Sequence, residues 1–215
     1  MSKRDLFVVV ADLDAENVMK ALLSRRQEAL GVSLQFNPDR PPQGDLLRYQ
    51  GRDSGCYRKA VDLLRPPQRT HRHAILCFDH HGSGAERQAA EQTEADLERQ
   101  LHASGWQHGS VAVIVIEPEL ESWVWANSPQ VADALGWRHE DGELRTFLQS
   151  QGFWEPRVAK PSDPKAAMDA ALRQKNQPGG RASIFSRLAS KVSVRGCEDR
   201  AFIKLADTLR RWFPA

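Results

Sequence analysis

The apolar and polar positions divide the chain into two styles. Up to residue 116, short apolar runs alternate with amphipathic stretches. Residues 7–11 (FVVVA), 74–78 (AILCF) and 111–116 (VAVIVI) are continuous runs rich in β-branched residues, which predicts strands buried on both faces. Residues 32–36 (VSLQF) alternate apolar with polar, which predicts an edge strand. Between the runs, residues 15–30 space Val18, Ala21, Leu22 and Ala29 along one helical face. Residues 54–64 do the same with Tyr57, Ala60, Val61 and Leu64, and residues 85–103 with Ala90, Ala95, Leu97 and Leu101. The order β-α-β-α-β-α-β predicts an α/β fold with an open, mainly parallel sheet flanked by helices.

Beyond Ile116 the pattern turns helical. Pro118 suits the first turn of a helix, where its missing N–H is tolerated, and Glu119 and Glu121 suit the dipole there. That helix is predicted to run to Asn127. Further helices are predicted over 130–135, 142–149, 164–173, 182–192 and 199–213, with a break at 177–180 (QPGG). Residues 37–44 and 65–72 read as exposed loops. The expected division is an α/β domain over 1–127 and a basic helical extension over 128–215 packed on it.

Composition narrows the class. With 215 residues, 40% of them hydrophobic, and a net charge of +2, the chain can bury an ordinary core and does not read as disordered. Its longest apolar runs fall far short of the ~20 residues of a membrane span. The first residues, MSKRDLF, carry charge but no apolar segment of the secretory kind. Cys56, Cys77 and Cys197 lie far apart, which argues against a disulfide framework or a structural zinc site. A cytoplasmic protein is expected. The charge is uneven: residues 157–215 hold 13 Lys+Arg against 5 Asp+Glu, a balance of +8, which leaves −6 for residues 1–156. A basic surface for phosphates beside an acidic site is one reading, and solvated helix faces are the other.

Ligands of open parallel sheets bind outside the carboxyl ends of the strands. Three predicted strands end there in a carboxylate: Asp12, Asp79 and Glu117. Each alone reads as a helix cap. Three together are unfavourable unless a cation joins them, and hard cations take such oxygen ligands. A divalent-metal site from Asp12, Asp79 and the acids of 117–121 is therefore expected, with Glu119 and Glu121 as candidates. His71 and His73 lie at the start of the third strand and His80 and His81 at its end, too far apart for one site. His80 or His81 is a candidate ligand or general base, against the alternative of a solvated loop histidine. The turn Gly82-Ser83-Gly84 offers backbone N–H groups to a phosphate, although a plain strand-to-helix connection is the commoner use. Lys160, Lys165, Arg187 and Lys191 are candidate phosphate-backbone contacts, with Arg187 and Lys191 on one helix face. The six tryptophans are candidate base-stacking groups or core.

These segments resemble Toprim-like domains, the fold of topoisomerases, bacterial primases and the overcoming-lysogenization-defect nucleases. VVVADLDAENVMKALL places Asp12 and Glu16 where that family carries an acid at the end of the first strand and a second on the next helix. AILCFDHHGSG keeps the first aspartate of its paired-aspartate motif as Asp79. IEPELESWVWAN, with Glu121-Ser122-Trp123, is similar to an uncharacterised Toprim-related family, as are AKPSDPKAAM, FSRLASKVSV and AFIKLADTL in the tail. Members of that family tend to be encoded beside bacterial phage-defence genes, including methylation-associated defence systems. The resemblance implies metal-dependent hydrolysis of nucleic-acid phosphodiesters. It implies Asp79 and Glu121 as ligands of Mg²⁺ or Mn²⁺, with Asp12 or Glu16 as acid/base. It implies nucleic acid as the partner, DNA favoured over RNA, together with other defence-system proteins. The chain also departs from the family: Asp12 replaces a longer glutamate and Leu13 a glycine, and the paired-aspartate motif has become Asp79-His80-His81. Those departures support the alternative of a non-catalytic binding subunit of a defence complex. A small-molecule phosphohydrolase is the third reading.

Overall fold

Residues 2–125, 129–137, 141–175, 184–185, 187–188 and 197–215 are described by a computed structural model. Its centre is a four-stranded, all-parallel sheet in the order β2-β1-β3-β4. The strands are β1 (Arg4–Val10), β2 (Leu46–Arg48), β3 (His71–Asp79) and β4 (Val111–Ile116). The three continuous apolar runs became β1, β3 and β4, as their two-sided burial requires. Leu6, Val8 and Val10 face one layer, and Phe7, Val9 and Ala11 face the other.

The connections are helical. α1 (Leu13–Arg25) and the short α2 (Gln27–Leu30) lie between β1 and β2. α3 (Arg52–Leu64) lies between β2 and β3, and α4 (Ala90–Ala103) between β3 and β4. α1 packs on the Leu6 face; α3 and α4 pack on the Phe7 face. Successive connections thus leave β1 toward β2 on one side and β3 toward β4 on the other. That makes the carboxyl ends of β1 and β3 the switch point of the sheet.

The second strand is not where alternation placed it. Val32 and Leu34 are buried and Ser33 and Gln35 exposed, so the period-two reading of burial is right. The segment joins no sheet, however. Val32 N donates to the Gln27 carbonyl, Ser33 N to the Phe213 carbonyl, Leu34 N to the Gln27 side chain and Gln35 N to Asp5, and the strand-like pairing is an isolated bridge of Val32 with Pro214. The strand beside β1 is the three-residue Leu46–Arg48. Two further boundaries move. α4 starts at Ala90 rather than Ala85, and residues 85–89 form turns. After β4 the Glu117–Pro118 peptide is cis, and a 3-10 turn over Leu120–Trp123 replaces the expected α-helix start.

The tail supplies α5 (Pro129–Ala134), α6 (Asp141–Ser150), α7 (Pro164–Gln174) and α8 (Arg200–Trp212). Asp163 and Asp199 cap α7 and α8, accepting from Ala166 N and from Ala201 and Phe202 N. Ala167, Met168, Phe202, Leu205 and Leu209 share the core of the Leu6 face. The predicted break at 177–180 and most of the predicted helix 182–192 fall outside the described residues. Among those described, no helix is long and apolar enough to cross a membrane.

Candidate metal centre

The strand ends bring carboxylates together. Asp79 closes β3, and its Oδ1 accepts from Leu120 N at 3.0 Å. Glu119, just before the 3-10 turn, and Glu121 within it come from the connection after β4. One oxygen from each of Asp79, Glu119 and Glu121 lies within 4.8 Å of the others, and Glu121 is buried. Among the described residues this is the one group of three such side chains that can hold a metal ion.

Two more acids bear on it. Asp12 caps α1 by accepting from Ala15 N at 2.8 Å. Asp53, in the first turn of α3, accepts from Asp79 N at 2.9 Å. Burial pushes the Asp79 carboxyl well above the usual carboxylate range, and Asp53, Asp12, Glu121 and Glu119 push it the same way. Burial and Asp12 also raise Asp53, against the hydrogen bond it accepts from the Asp79 amide. Burial would raise Glu119 too, but Lys165 at 2.7 Å and His81 at 3.0 Å hold its carboxyl below the usual range. The acids gathered here repel one another, which a divalent ion would relieve. The donors are hard oxygens. The nearby Cys56 thiol is pushed up to about 12 by burial and by Asp53 and Asp12, so it stays protonated and outside the donor set. The residues present fit a divalent cation.

Sequence reasoning found Asp79, Glu119 and Glu121 and missed Asp53. Its one signal was its place in the first turn of the helix after β2, a third carboxyl-end position of the same sheet. Asp12 is electrostatically close to the cluster. Glu16 is engaged differently, with Lys20 at 2.8 Å, Arg48 at 3.3 Å and Arg40 at 3.9 Å. The two neighbouring histidines are placed differently. His80 is buried and donates from Nε2 to the Ala85 carbonyl at 3.3 Å, which ties down the turn that follows. Exposed His81 is the imidazole that reaches Glu119. The turn itself holds an internal anion: Gly82 N and Gly84 N both donate to Glu86 Oε1, at 2.7 and 3.2 Å.

Among the described residues, several bases of the tail pair within the protein. Lys160 pairs with Asp199 at 3.2 Å, Lys165 with Glu119, and Arg187 donates to the Ala134 carbonyl at 2.8 Å. Lys191 lies outside the described residues. Arg200 and Lys204 reach Glu94 on α4 at 2.8 and 3.1 Å, and Lys204 reaches Glu98 at 2.8 Å. The uneven charge along the sequence is thus partly cancelled in space. All six indoles donate to acceptors of the chain itself: Leu64, Asp199, Pro164, Ala171, Val158 and Gly109. Trp106, Trp123, Trp125 and Trp137 are buried, which makes them core rather than base-stacking groups. The chain matches no family model, no curated protein and no solved structure.

Proposed function

We propose that the protein is a metal-dependent hydrolase of nucleic-acid phosphodiesters, DNA favoured over RNA, with Mg²⁺ or Mn²⁺ held by Asp79, Glu119 and Glu121. The observation that carries this is the convergence of those carboxylates within 4.8 Å at the carboxyl ends of β3 and β4, beside the switch point of a parallel sheet. When bound, the metal supplies Lewis-acid polarisation of a phosphate oxygen and lowers the pKa of its water. The chain's own residues do the rest. Lys165 and His81 hold Glu119 ionised and oriented. Asp53 fixes the Asp79 main chain through the Asp79 amide. Asp12, at the end of the neighbouring strand, adds negative charge that raises the Asp79 carboxyl and that a divalent cation would offset. The Toprim-like resemblance of these same positions extends the proposal to a role in bacterial antiviral defence.

A second reading, a non-catalytic binding subunit of a defence complex, has one observation in its favour. Asp12, where the resembled family carries a longer glutamate, is used as a helix cap. Cleavage decides between them. Wild type and Asp79→Ala are incubated with plasmid, single-stranded DNA and RNA in Mg²⁺ or Mn²⁺. Cleavage by wild type that is lost in the variant is expected. No cleavage of any substrate with either metal selects the binding subunit.

A further inference from the structure

A second cluster of charge lies beside the metal centre, at the β2 edge of the sheet, and it is cationic. Glu16 sits in the first turns of α1, its side chain only 3% exposed. Lys20 comes from the next turn of α1, Arg48 from the carboxyl end of β2, and Arg40 from the loop that precedes β2. All three reach the Glu16 carboxylate, at 2.8, 3.3 and 3.9 Å. Among the described residues it is the one carboxylate within ion-pair distance of any of them. Three cations on one anion leave a formal charge of +2.

The geometry keeps that charge available. Glu16 Oε2 is buried and accepts no hydrogen bond, so the approach of Arg48 and Arg40 to it is electrostatic. Their guanidinium N–H groups are not consumed by Glu16. Lys20 and Arg40 side chains are 39% and 57% exposed, while Arg48 is 23% exposed and lies deeper. Glu16 thus works as an anchor that gathers three donors which would otherwise repel one another. A tetrahedral dianion or a diester phosphate matches such a set, because it offers several acceptor oxygens and opposite charge.

Position gives the cluster its meaning. Val10 on β1 is in register with Arg48 on β2 and with Cys77 on β3, so Arg48 and Asp79 lie at the same edge with β1 between them. Two strand spacings of about 4.8 Å, with Asp79 two residues beyond Cys77 at about 3.3 Å each, put their main chains roughly 12 Å apart, or about three to four nucleotides of a stacked strand at about 3.4 Å each. We propose that Lys20, Arg40 and Arg48, gathered on Glu16, form a subsite that holds a backbone phosphate of the substrate a few nucleotides from the one at the metal centre. The identity of the ligand rests on the function proposed above.

The test uses the full chain and a fluorescein-labelled single-stranded DNA, with an RNA of the same sequence as a second arm. Anisotropy is read in EDTA across a salt series, and Mn²⁺ binding is measured separately by calorimetry. The Lys20→Ala/Arg40→Ala variant changes two partly exposed side chains and leaves Arg48 to neutralise Glu16. It is expected to bind the DNA at least about tenfold more weakly, with a log–log salt slope shallower by about 1.4, since each single-strand contact contributes about 0.7. Its Mn²⁺ affinity is expected to match wild type, and Arg40→Lys is expected to keep the wild-type slope. Unchanged DNA affinity and slope in the double variant overturn the subsite, and so does a wild type that binds neither oligonucleotide. Loss of Mn²⁺ binding in the double variant also overturns it. A wild type that binds no Mn²⁺ but shows the expected oligonucleotide series refutes the metal reading and leaves the subsite standing.

Discussion

Replacing Asp79 by asparagine should stabilise the metal-free protein, an unusual outcome for a partly buried position at the end of an inner strand. Ligand oxygens of Asp79, Glu119 and Glu121 lie within 4.8 Å of one another. At an effective dielectric constant near 20, each fully ionised pair at that distance repels by about 3 kcal/mol. Lys165 offsets part of this at Glu119, and Asp79 relieves more by keeping its proton. The net gain from removing the charge is therefore about 1–2 kcal/mol, or roughly 2–8 °C in Tm for a chain of this size. The amide oxygen still accepts from Leu120 N, so no hydrogen bond is lost there. The sign of the pH dependence follows from the raised carboxyl. The folded protein keeps a proton that the unfolded chain has already released, so this group's contribution to stability falls as pH rises from the ordinary carboxylate range toward its raised value. The advantage of asparagine is small in acid, grows with pH and then levels. Thermal unfolding in EDTA across pH measures it. In Mn²⁺ the order reverses, because only wild type gains binding energy. A variant less stable than wild type in EDTA at every pH would refute the reasoning.

Three further outcomes follow from the same structure. Mn²⁺ affinity should rise with pH, by up to about tenfold per unit for each proton displaced, while Asp79 still holds its proton, and then level; a pH-independent Kd would contradict this. Glu94→Ala leaves the buried Val115 N without its acceptor and loosens Arg200 and Lys204, which keep Glu91 and Glu98, and should cost about 1–3 kcal/mol by urea unfolding. A loss within about 0.5 kcal/mol, the usual range of an inert surface change, would show that the helix–strand tie contributes little. Asp199→Ala removes the α8 cap and the acceptor of the Trp123 indole, and should cost about 1–2 kcal/mol with a change in tryptophan fluorescence; an unaltered spectrum and Tm would refute it.

The sheet is largely legible in the sequence. A strand buried on both faces must be continuously apolar, and β1, β3 and β4 are. β2 was not legible, because a three-residue strand is too short to show a period. Alternation at residues 32–36 reported burial truthfully, but burial alone does not say which groups pair the backbone. There Gln27, Asp5 and the chain's own C-terminal residues do so.

The candidate centre shows the same division. Acids placed directly after apolar runs, Asp79 and the 117–121 group, could be found by position along the chain. Asp53 could not, since it follows a strand that had been misplaced. The choice of His81 over His80 turns on how the chain leaves β3, where His80 is drawn in by the Ala85 carbonyl. The basic tail was visible as a charge count. Its use against Glu94, Glu98 and Glu119 is a tertiary fact that no count contains.

The most direct test of the central claim is a calorimetric titration of Mn²⁺ into metal-free wild type and into Asp79→Asn. Saturable binding with proton release is expected for wild type and none for the variant. Equal binding by both proteins, or no binding by either, would contradict a metal centre at Asp79, Glu119 and Glu121.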